Sequence, residues 1–128
     1  MLPHTKFGIL IYKGEAKRIV WLGNSKERTK MFPEITKKIV GRELLRVQVG
    51  QMPTDWRPMP NIGPGAMEIR IHRPNEHRVF YIANYPEAVY VLHAFQKTTK
   101  TTSEKDKHVG RIQYGEMQKL RKEKNQSK

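Results

Sequence analysis

Hydrophobic and polar positions change period along the chain, and each change marks an element. Arg18-Ile19-Val20-Trp21-Leu22 is short and apolar and predicts a first strand. Asn24 followed by Glu27 has capping-box spacing and predicts a helix start. Pro33 either interrupts that helix or opens the next, because Pro is tolerated in a first turn. Beyond it Ile35, Ile39, Leu44 and Val47 recur at helical spacing, with Lys37, Lys38, Arg42 and Arg46 on the wetter side. Two consecutive helices, or one kinked helix, are expected over about 25–50.

The period then shortens to two. Met67, Ile69 and Ile71 alternate with Glu68, Arg70 and His72, the pattern of a half-buried strand. Pro74-Asn75-Glu76 predicts a hairpin turn and residues 78–84 a second strand; Pro86-Glu87 turns the chain into a third strand over 88–97. The stretch 58–65 holds three prolines, two glycines and no charge, so it predicts a shaped loop. Thr101 with Glu104 offers another capping box, for a helix over about 103–121 that Gly110 and Gly115 weaken. This order predicts an α+β domain with helices packed on one face of an antiparallel sheet.

Charge narrows the partner. With 128 residues the chain fits one domain, and 25 Lys plus Arg against 12 Asp plus Glu give a formal +13. Such an excess favours a polyanion, most often nucleic acid. Residues 17–57 carry ten basic and four acidic side chains, and residues 97–128 carry ten against four. The absence of Cys excludes disulfides, thiolate zinc sites and cysteine nucleophiles. The apolar run Phe7 to Tyr12 is shorter than a signal-peptide core of about 7–15 residues. No stretch approaches the about 20 apolar residues of a membrane span, so a soluble cytoplasmic protein is expected.

Polar side chains gather on the predicted meander. Alternation puts Val89, Val91, His93, Phe95 and Lys97 on one face of the third strand, an apolar face that turns polar toward one end. Arg70 projects from the first strand, Arg78 opens the second, and Lys100 follows the third. Such a group suits cleavage of RNA through its own 2′-hydroxyl, which needs a base, an acid for the leaving 5′-oxygen and positive charge on the phosphorane. His93 can serve as acid or base near neutral pH, with Glu68 or Tyr81 assisting proton transfer. Arg70, Arg78 and Lys97 would hold and neutralise the scissile phosphate, with Arg57, Arg73, Lys100 and Lys105 as further phosphate contacts. The scheme asks for no metal or other cofactor, and His72 and His77 lack a third ligand. Each residue also has a plainer reading: His93 as a hydrogen-bonded core residue, Glu68 and Arg70 as a surface pair, Arg78 and Lys97 as charges that blunt a sheet edge.

Three runs then become recognisable: Trp21-Leu22-Gly23-Asn24-Ser25, residues 53–63 with Met67-Glu68-Ile69-Arg70-Ile71, and Ala88 to Lys97 followed by Thr98-Thr99-Lys100-Thr101. In order and spacing they resemble the phage-derived, HigB-like branch of the RelE/ParE toxin superfamily, over roughly residues 18–117. The resemblance implies a RelE-like fold, with N-terminal helices on an antiparallel sheet and a C-terminal helix. It implies the toxin of a type II toxin–antitoxin pair, a ribosome-dependent mRNA endoribonuclease that leaves a 2′,3′-cyclic phosphate. The implied partners are the ribosome, mRNA and a helix-turn-helix, HigA-like antitoxin that represses the shared operon through its operator DNA. Position by position, the family's basic and aromatic residues fall on Arg70, Arg78, Phe80, Tyr81, His93 and Lys97. The family's second lysine is replaced by Thr98, with Lys100 two residues on. Residues 1–17 lie outside the pattern as an extension or extra strand, 18–121 form the toxin domain and 122–128 a basic tail. Two other functions compete: a non-enzymatic ParE-like inhibitor of DNA gyrase, and a relative that binds RNA or antitoxin without cutting.

Overall fold

The computed structural model describes residues 4–6, 9–11 and 16–126. Within the predicted extension, β1 (His4–Lys6) and β2 (Ile9–Ile11) pair antiparallel with each other; the other residues up to 15 lie outside the described ones. Then follow β3 (Arg18–Trp21), α1 (Ser25–Lys30), α2 (Glu34–Gln48), β4 (Trp56–Pro58), β5 (Met67–Ile71), β6 (His77–Ile82), β7 (Ala88–Gln96) and α3 (Glu104–Gln126). The main sheet has the order β3-β7-β6-β5-β4. The meander is antiparallel as expected, but β3 runs parallel to β7, so the sheet is mixed. An edge strand, β4, forms where a loop was expected; Trp56-Arg57-Pro58 pairs with Met67–Ile69, and Pro is tolerated at such an edge.

Helices cover both faces, not one. On one side Val40, Leu44 and Val47 of α2 pack on Ile69, Ile71, Val79, Tyr81, Val89 and Val91. On the other, Tyr114 and Met117 of α3 pack on Phe80, Ile82, Tyr90, Leu92 and Phe95. Strands whose two faces are both covered read as continuous apolar runs, and eight of the nine residues of β7 are buried. Asn24 precedes α1 but makes no side-chain cap, and Pro33 caps α2 at the break between two helices.

The glycines of α3 have separate roles. A Cβ on Gly110 would press on Phe80 and Ile62, so this glycine lets the helix lie close on the sheet, whereas Gly115 faces open space. The 58–65 loop is shaped by Met59 N–H to Ala66 O (2.8 Å) and holds α3 through the Tyr114 hydroxyl, which donates to Pro64 O (2.8 Å). Residues 122–126, expected as a tail, continue the helix. Among the described residues no helix is long and apolar enough to cross a membrane.

Candidate nucleic-acid site on the α3 face

A register shift decides which residues meet. Phe80 pairs with His93 but Tyr81 pairs with Val91, leaving Leu92 as an extra residue in β7. Before the bulge Ala88, Tyr90 and Leu92 face α3 and Val89 and Val91 face α2; after it His93 and Phe95 join the α3 side and Ala94 the α2 side. The expectation that Val89, Val91, His93 and Phe95 share a face is therefore wrong. Simple alternation misses an inserted residue.

With the bulge in place, two ranks cross the sheet beneath the start of α3. His93, Phe80, Glu68 and Arg57 are successive cross-strand partners on β7, β6, β5 and β4. Beside them run Phe95, Arg78 and Arg70. Cross-strand partners bring side chains on one face to within about 5 Å.

Glu68 is the hub of the first rank. Fully buried, its carboxylate accepts from Arg57 Nε (2.9 Å) and Thr102 Oγ1 (3.0 Å), with Arg78 Nε at 3.8 Å. Arg57 Nη2 also reaches Thr102 Oγ1 (3.3 Å). Held between two guanidinium groups and a hydroxyl, the Glu68 carboxylate positions Arg57 and Arg78. Arg78, 2 % exposed, donates to His77 O (2.9 Å), Ile71 O (3.3 Å) and Glu76 Oε1 (2.7 Å).

His93 is equally enclosed, at 3 % exposure. Its ring stacks on Phe95 at 5.0 Å between centroids, and Nε2 lies 2.8 Å from Asp106 Oδ1. Burial lowers its pKa from the usual 6.5 and outweighs the Asp106 carboxylate, which pulls the other way. The neutral imidazole then carries its proton on Nε2, toward Asp106, and leaves buried Nδ1 without a partner. Asp106 is itself set by Ser103, whose hydroxyl donates to Oδ2 (2.7 Å) and accepts from the Asp106 backbone N–H (3.1 Å). This is the N-terminal cap of α3, two residues later than the Thr101–Glu104 pair suggested.

The remaining predicted residues divide clearly. Lys97 follows β7 and donates to Thr99 O (2.8 Å) and Lys100 O (2.7 Å), which fixes the start of the 98–103 loop. Lys100 and Lys105 are exposed, Arg70 is half-buried, and exposed Arg73 lines a pocket with Arg70 and with Ile39, Arg42 and Glu43 of α2. Among the described residues none of Arg70, Arg73, Lys97, Lys100 and Lys105 is paired with a carboxylate. Tyr81 is not part of this group. It points to the α2 core on the opposite face, where burial pushes its phenol up to about 12. The residues missed from sequence are Thr102, Ser103, Asp106 and Glu76, which carry no charge pattern of their own. The one available signal was a second capping box, Ser103 to Asp106, overlapping the first. Among the described residues no three His, Asp or Glu side chains are arranged to hold a metal ion.

None of the curated proteins matches the chain. The profile of the phage-derived Gp49-like proteins (DUF891) matches residues 27–115, which spans α1 to the middle of α3 and so includes both ranks of the site. The match covers well over half of the 128 residues, and the chain therefore belongs to the Gp49-like family, a family of RelE/ParE-like toxin type.

Proposed function

We propose that the protein is the toxin of a type II toxin–antitoxin pair, of the HigB-like branch, and that it cleaves mRNA in the ribosomal A site. One observation carries the reading: cations of three strands, Arg57, Arg70 and Arg78, sit on the α3 face, and of the basic residues around them Arg70, Lys97 and Lys100 have no carboxylate partner among the described residues. Unpaired arginines and lysines around a common surface suit a phosphodiester, whose charge increases as the 2′-oxygen attacks. Arg57, steered by Glu68, with Arg70, Lys97 and Lys100, meets the phosphate; Arg78 and His93 hold the floor beneath them. Proton transfer is left to groups at the surface or to the ribosome, which can supply much of the rate by orienting the substrate. The implied partners are the ribosome with its mRNA and a small helix-turn-helix antitoxin.

A second reading, an RNA-binding relative that does not cut, is favoured by the enclosure of His93 and Arg78. Primer extension on a defined mRNA, with purified protein and with or without programmed ribosomes, separates the two. Cuts confined to A-site codons in the presence of ribosomes are expected, at least about tenfold weaker for Lys97→Ala at unchanged melting temperature and, per folded molecule, for Arg57→Ala. Retarded RNA without cuts would replace the nuclease by the binding relative. Growth arrest with neither would move the case to a ParE-like gyrase inhibitor.

A further inference from the structure

A cavity of about 320 Å³ opens at the C-terminal end of α2, on the face of the sheet opposite Glu68. Val47, Met52, Met67 and Ala83 give it apolar walls, and Lys17, Gln51, Tyr81 and Asn84 add polar groups. Tyr81 is 2 % exposed, and its hydroxyl has no hydrogen-bond partner among the described residues. Because burial holds its phenol far above neutral pH, that hydroxyl remains both donor and acceptor.

The rim carries one sign of charge. The Lys17 ammonium donates to Ala83 O (2.6 Å), and Arg46 Nε donates to Met52 O (3.0 Å). Lys17 lines the cavity, and Arg46 lies beside it, bonded to the carbonyl of the lining residue Met52; neither is paired with a carboxylate among the described residues, and no Asp or Glu lines the cavity. The volume lies at the lower end of small-ligand pockets, enough for one large side chain. Met52, 43 % exposed, continues the apolar wall onto the open surface. Two flexible thioethers, Met52 and Met67, form walls that adapt to a side chain entering from outside. An anchor of this kind, ringed by complementary charge, is the usual core of a protein contact.

We propose that this cavity docks an acidic segment of a partner protein, which seats one bulky apolar side chain against Met52, Met67 and Tyr81 and sets its carboxylates on Lys17 and Arg46. The site lies on the other face from the cation cluster, and the proposal holds whether or not that cluster cleaves RNA.

The test is a titration of the ¹⁵N-labelled full chain with a blocked nonapeptide that has a central phenylalanine flanked by glutamates. The expected shifts fall on the amides of Val47, Met52, Met67, Tyr81 and Ala83. Alanine in place of the phenylalanine should weaken binding about tenfold or more, and Arg46→Glu about threefold. Tyr81→Phe, which keeps the packing, should weaken it about threefold by removing the free hydroxyl. A lysine-flanked peptide needs no variant to fold and should not bind. No shift at these amides with millimolar peptide would overturn the proposal, as would equal binding of the lysine peptide. So would the same amides shifting as the chain alone is concentrated, which would make the occupant a second copy. Tighter binding of a peptide copying residues 6–13 would assign the cavity to the chain's own N-terminal segment, again against the proposal.

Discussion

The two faces of the sheet are built from the same strands and are opposite in character. Toward α2, β5, β6 and β7 present Ile69, Ile71, Val79, Val89, Val91 and Ala94, an aliphatic layer with no charge in it. Toward α3 the intervening positions present Glu68, Arg70, Arg78 and His93 among Phe80, Phe95 and Met117. Period-two alternation separates the two sets, so adjacent residues such as Glu68 and Ile69 serve different purposes. The α2 face holds the strands together. The α3 face charges a surface that the first face keeps flat and rigid.

If that division is real, substitutions of neighbouring residues should part company. The largest effect on stability is expected at Ile69, fully buried in the aliphatic layer. Ile69→Ala should cost about 2–5 kcal/mol from lost burial and the cavity left behind. Denaturant melts would read it as a lower midpoint at unchanged slope, and the folded fraction should still cut RNA at the parental rate. A folded Ile69→Ala protein that has lost cleavage would show that the two faces are not separable.

Its neighbour should give the reverse pattern. Glu68→Gln keeps the shape but weakens the hold on Arg57 and leaves a donor facing Arg78, so roughly 1–3 kcal/mol of stability is expected to go. The cleavage rate should fall by about tenfold or more, because Arg57 is no longer aimed, while Glu68→Asp should recover part of it. Cleavage measured per folded molecule decides the matter. An unaltered rate in Glu68→Gln would reduce the buried carboxylate to a structural ion pair.

Much of this division is legible in the sequence, and what is not has a physical reason. The alternation of Met67 to Ile71 fixes β5 and puts Glu68 and Arg70 together on one face. Pro33 marks the break between α1 and α2 because a proline starts a helix but does not continue one. The bulge at Leu92 leaves no such mark: Val91-Leu92-His93-Ala94 is as apolar as the strand around it, and only the register against β6 shows an extra residue. The parallel pairing of β3 with β7 and the edge strand β4 depend on partners distant in sequence, which local pattern does not name. Burial on both faces was hidden for the same reason, since Arg78, His93 and Glu68 look solvated in sequence and are enclosed only once α3 lies over them. Arg70, Arg78 and His93 could be singled out from sequence; the hold of Asp106 on His93 and of Thr102 on Glu68 could not.

The smallest effect is in pH, and it sets the enclosed side of the α3 face against its open edge through two histidines. Burial depresses the pKa of His93 below 6.5, with Arg28 pushing the same way and Asp106 opposing. The group is neutral when folded, so its contribution is present above pH 6.5 and is lost as the pH falls below it. His72, at the exposed end of β5, is held between Asp55 (2.5 Å) and Glu76 (3.0 Å), which raise its pKa above 6.5. Its contribution is complete below pH 6.5 and is lost as the pH rises through the raised value. Together they predict a stability maximum near pH 6.5, with a shallow decline on each side. Because His72 and its carboxylates are well solvated, the alkaline decline should be the weaker of the two. Melting temperatures taken from about pH 5 to pH 8 would show both declines. His72→Asn should flatten the alkaline one and leave the acid one in place. If the acid decline vanished instead, the enclosure of His93 would not be what makes the α3 face sensitive to protons.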